Sequence, residues 1–92
     1  MKKIAEKVIQ KEILDYLKSK NYYVIKVVVA NVSGVPDILC CKDGKMYGIE
    51  VKATGKKKQV TELQKHHLNL IRQSGGRAFV ADSLWDVIEE GL

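Results

Sequence analysis

The stretch that decides the fold is Gly34-Val35-Pro36-Asp37-Ile38-Leu39-Cys40-Cys41-Lys42-Asp43-Gly44-Lys45-Met46-Tyr47-Gly48-Ile49-Glu50-Val51-Lys52. Two apolar runs, Val35 to Cys41 and Met46 to Val51, flank Asp43-Gly44, and Asp-Gly between strand-like runs is a strong hairpin signal. A symmetric turn on Asp43-Gly44 pairs Lys42 with Lys45 and Cys41 with Met46, and continued stepwise it sets Asp37 opposite Glu50. Side chains alternate along a strand, so Glu50 and Lys52 share a face while Val51 points away. Asp37, Glu50 and Lys52 are therefore expected to converge. Opposed like charges destabilise a strand pair by up to about 1 kcal/mol, and a hard divalent cation between them removes that cost.

Around this hairpin, the 92 residues make one small domain spanning residues 1–92, so a site has to be built on the core elements themselves. Sixteen Lys and Arg against eleven Asp and Glu leave a net charge of +5, which favours polyanionic partners such as nucleic acid. Cys40 and Cys41 are neighbours in a strand and point to opposite faces, so they do not bridge; they read as small buried apolar residues of a reducing compartment. With His66 and His67 they lack the spacing of a zinc site. There is no run of membrane-span length, and Met-Lys-Lys is not followed by the apolar block of a signal peptide, so a cytoplasmic location is expected.

Before the hairpin, Ile4 to Ser19 reads as a helix with Ala5, Ile9, Ile13, Tyr16 and Leu17 on one face. Glu6 projects between Ile13 and Leu17, either facing inward or complementing the helix dipole in solvent. Tyr22 to Val29 reads as a strand with Lys26 at a solvated position. Pro36 belongs at the start of its strand or on an edge.

After the hairpin, Lys56, Lys57 and Lys58 form a basic loop leaving the Glu50/Lys52 strand end, placed for phosphate contact. Thr61 and Gln64 form a capping box for a helix to about Ser74 with Leu63, His67, Leu70 and Ile71 inward; Gln64 serves either as a cap or as a polar group of the site. Arg77 to Ala81 reads as a strand, and Ser83 caps a last helix over Leu84 to Glu90 with Trp85 and Ile88 inward.

Val35-Pro36-Asp37 followed by Ile49-Glu50-Val51-Lys52 resembles the PD-(D/E)xK nuclease signature. The element order is similar to the αβββαβ core of restriction-endonuclease-like folds: an α/β domain with a mixed sheet flanked by helices, here with a short C-terminal helix added. The fuller pattern of Glu6, Gln10, Ser33 to Asp37, Glu50 to Ala53 and Gln64 resembles the VRR-NUC family, in its stand-alone phage or bacterial form. That resemblance implies a metal-dependent endonuclease acting on branched or Holliday-junction-like DNA, and a homodimer. It implies Mg²⁺ or Mn²⁺ on Asp37, Glu50 and the Val51 carbonyl, Glu6 as a further acidic contributor, and catalytic roles for Asp37, Glu50, Lys52 and Gln64. The lysines at 56 to 58 depart from the Gly, Leu and Ser common in that loop of the family. The rival expectation is a non-catalytic DNA-binding module of the same fold.

Overall fold

The computed structural model describes residues 3–92. The elements are α1 (Glu6–Ser19), β1 (Tyr23–Lys26), β2 (Ile38–Lys42), β3 (Lys45–Val51), a 3₁₀ turn (Lys57–Gln59), α2 (Glu62–Gln73), β4 (Arg77–Ala81) and α3 (Leu84–Glu89). The four strands form one mixed sheet in the order β1-β2-β3-β4. The first two pairings are antiparallel, and β3 pairs parallel with β4. A parallel neighbour needs a crossover, and α2 supplies it. This is the restriction-endonuclease-like α/β arrangement.

The hairpin has the register of a symmetric two-residue turn: Lys42 pairs with Lys45 and Ile38 with Ile49. Asp43 (φ 53°) and Gly44 (φ 77°) both take the left-handed conformation that a type I′ turn demands. With no bulge, Tyr47, Ile49 and Val51 all point to one side of β3 and Gly48 and Glu50 to the other.

The first side is the core. Ile9, Ile13 and Leu17 of α1 pack there on Ile38, Ile49, Val51 and Phe79, together with Val87 of α3. Each such fully buried side chain contributes about 1.5–3 kcal/mol, so α1 is held chiefly by this stripe; its N-cap, Ala5, provides no side-chain cap. The second side carries α2. A Cβ on Gly48 would lie 2.6 Å from Ile71 Cδ1 and 3.3 Å from Pro36 Cγ, so the bare backbone there lets α2 approach the sheet.

Several expectations from sequence are corrected. The first strand stops at Lys26 rather than Val29. Its partner β2 starts only at Ile38, after Pro36 with no N–H to give, and the last rung is Val27 N–H donating to the Asp37 carbonyl at 2.8 Å. Cys41 is exposed while Cys40 is buried. Ala5 is exposed, as are Leu63 and Leu70 of α2, where Leu68 is the buried residue. In α3, Trp85 is 63% exposed and Ile88 also faces solvent, because Val87 and Leu84 take the inward positions. Among the described residues no helix is long and apolar enough to cross a membrane.

Candidate active site

Glu50 is the penultimate residue of β3, on the α2 side, and is only 3% exposed. Asp37 lies one residue before β2, a step beyond the last hairpin pair, Ile38 with Ile49. Its carboxylate turns across the strand end, and Oδ2 accepts from the Val51 N–H at 2.7 Å. That bond fixes Asp37 beside Glu50, a contact that strand alternation alone does not supply.

Burial raises the Glu50 carboxyl to about 8, and the negative charge of Asp37 and a hydrogen bond with Asp37 add to it; Lys52 opposes the shift and Glu6 adds to it. Two carboxyls thus meet in a dry place with too little positive charge. Lys52 Nζ is 3.7 Å from Glu50 Oε2, and both side chains are largely buried. This pair alone leaves the second carboxylate uncompensated.

Gln64 joins the set from α2. Its Nε2 donates to Glu50 Oε2 at 3.2 Å, and its Oε1 accepts from Lys52 Nζ at 3.1 Å. The same Oε1 accepts from the Thr61 N–H at 3.0 Å, while Thr61 Oγ1 accepts from the Gln64 N–H at 3.1 Å. The cap and the polar group of the site are therefore one side chain. Gly34 helps to seat it as Gly48 does: a Cβ on Gly34, whose φ is +87°, would come within 2.7 Å of Leu63 Cγ and 3.1 Å of the Leu63 carbonyl carbon.

Glu6 is exposed in the first turn of α1. Its helix start is tied to the β3 exit by Thr54, whose Oγ1 accepts from Ile4 N–H at 2.9 Å and whose N–H donates to the Ile4 carbonyl at 3.1 Å. This tie places the Glu6 charge where Glu50 feels it. Among the described residues no three His, Cys, Asp or Glu side chains are grouped closely enough to hold an ion between them. Of the three loop lysines, Lys57 is engaged by Asp86 at 2.8 Å, whereas Lys56 and Lys58 are exposed.

The Asp37/Glu50 donor set suits a hard divalent ion. Mg²⁺ takes oxygen ligands and usually only one or two carboxylates from protein, completing its shell with water. Here two hard oxygen donors share a site whose charge deficit a dication would fill. The structure brings together Asp37, Glu50, Lys52 and Gln64, the residues the sequence singled out; the contacts of Thr54, Gly34 and Gly48 were not anticipated, because they depend on what packs against them. Glycine immediately before Val35-Pro36-Asp37 and in mid-strand was the available signal.

No family model matches the sequence, and no curated protein matches it. Among solved structures, one described as "VRR_NUC domain" is similar to this chain with a TM-score of 0.74 and 25% identity, over 95% of this chain and 97% of that one. That likeness, with the carboxylates, lysine and glutamine at the hairpin end, supports membership of the VRR-NUC family.

Proposed function

We propose that the protein is an endonuclease that hydrolyses DNA phosphodiester bonds with Mg²⁺ or Mn²⁺ held at Asp37 and Glu50. The observation that carries this reading is the buried Glu50 carboxyl, raised to about 8 against Asp37, with Lys52 and Gln64 bonded beside it. When bound, the ion supplies Lewis acidity that eases deprotonation of water and offsets charge on the phosphate.

The chain's own residues do the rest. Glu50 would give up its proton and, with Asp37, would hold the ion, with the Val51 carbonyl as the further oxygen in the reading. Lys52 presents a fixed ammonium to the scissile phosphate or its attacking water, and the Gln64 amide aims it. Glu6 acts at longer range, through an intervening water. Lys56 and Lys58 take flanking phosphates, and Lys57 does so on leaving Asp86.

The substrate in this reading is branched DNA, cut by a C2 homodimer whose two sites address two strands. Tyr23, Ile25 and Met46, exposed on the sheet face that α2 leaves uncovered, support pairing of two copies through that face.

The experiment is incubation of the wild-type chain with linear duplex, flap and four-way-junction DNA in Mg²⁺, in Mn²⁺ and in chelator, alongside a solution mass measurement. Metal-dependent cleavage of the branched substrates is expected. Binding with steep salt dependence and no cleavage in any metal would instead identify a DNA-binding module.

A further inference from the structure

Among the described residues, Val29 at 87% and Val28 at 81% are the most exposed large hydrophobic side chains. They stand side by side at the start of the connection between β1 and β2, with Val32, also exposed, three residues on. Neither belongs to the core cluster or its packed margin. A solvated loop has no need of three valines, and β-branched side chains are stiff.

The loop is anchored at both ends. The Val27 N–H to Asp37 carbonyl bond closes its base at 2.8 Å, and Gly34 lies against Leu63 and His67 of α2. Its closing residue is Asp37 itself, so the valines are built onto the frame that sets the site carboxylate. Residues 26–36 contain no acid, and Lys26 at the start is exposed. The chain leaves β3, just after Glu50, through Lys52, Lys56 and Lys58. An exposed apolar pair close after Lys26, in a segment without acids, matches nucleic acid where bases are out of the stack: the base presents an apolar face and the backbone around it is anionic.

We propose that Val28 and Val29 form a wedge that packs against an unstacked base at the branch point of the DNA, and so set the preference for branched over continuous substrate. The inference rests on the reading of this chain as a DNA-directed domain, but its test does not depend on cleavage.

The test uses a flap substrate carrying 2-aminopurine at the branch and a single strand of equal length. Both are titrated with the full wild-type chain and with the double variant Val28→Ser/Val29→Ser in Ca²⁺. Wild type should raise the 2-aminopurine fluorescence on binding. The variant should lose that rise and bind the flap about tenfold more weakly, with less than about a twofold change on the single strand. Unchanged melting of the variant shows that it folds, as expected for two exposed positions.

No fluorescence rise with wild type, a rise retained in the variant, or equal weakening on both DNAs would overturn the wedge. So would a fall in solution mass of the variant, which would make the valines a protein interface. A wild type that binds with the fluorescence rise yet cleaves nothing in Mg²⁺ or Mn²⁺ would leave the wedge standing and remove the nuclease reading. A chain that binds no DNA would remove both.

Discussion

Gln64 donates from Nε2 to Glu50 Oε2 at 3.2 Å with the same amide group whose oxygen completes the N-terminal cap of α2. One side chain thereby joins the start of a helix to the buried carboxylate of the neighbouring strand. Placement of α2 and polarity of the site are not separable.

Replacing Gln64 tests that link. Gln64→Ala removes half of the capping box, about 1 kcal/mol, and also removes the amide that bonds both Glu50 and Lys52. The expected result is a lower melting temperature together with a DNA cleavage rate reduced about tenfold or more. Gln64→Glu keeps an acceptor for the Thr61 N–H but loses the donor to Glu50, so it should recover stability at low pH better than activity at neutral pH. Thermal melts and single-turnover cleavage of both variants check this.

The Glu50 carboxyl gives a pH dependence of definite sign. Its value in the folded chain, about 8, lies above the ordinary 4.5, so between those values the native state holds a proton that the unfolded chain has lost. The contribution of Glu50 to the stability of the metal-free protein is therefore greatest at low pH, falls as pH rises through that window by up to about 1.4 kcal/mol per pH unit, and levels off above it. Binding of Mn²⁺ displaces that proton, so affinity should rise with pH across the same window. Urea denaturation of wild type and Glu50→Gln measures it: the variant should lose this part of the slope.

Gly34 offers a prediction of pure geometry. Its φ of +87° disfavours any side chain, and a Cβ would meet Leu63 Cγ at 2.7 Å and the Leu63 carbonyl carbon at 3.1 Å. Gly34→Ala should cost about 1–3 kcal/mol from backbone strain and overpacking combined. Because the displaced partner is the first turn of α2, cleavage should fall with it. Denaturant midpoints and activity of the variant, measured together, check both halves.

The hairpin was legible because a two-residue Asp-Gly turn permits one register, and period-two alternation then assigns Glu50 and Lys52 to a common face. The outer elements were less so. Val27 to Val29 have strand propensity, but a strand lasts only as long as its partner, and Pro36 ends that partner. Leu63 and Leu70 look like core because the apolar stripe of α2 is wider than the part of the sheet it covers. In α3, six residues are too few for a period to select a face, and Val87 rather than the larger Trp85 meets the core. At the site, residue types and hairpin register grouped Asp37, Glu50 and Lys52, whereas the Asp37 bond to Val51 N–H and the Thr54 tie to Ile4 are long-range contacts with no local signal.

The most direct measurement is the single-turnover cleavage rate of a flap DNA in Mg²⁺ by wild type, Asp37→Asn and Lys52→Ala, each shown to be folded by its melting curve. The account predicts metal-dependent cleavage by wild type and a loss of at least about a hundredfold in both variants. Cleavage by either variant at the wild-type rate would contradict a mechanism built on these two residues.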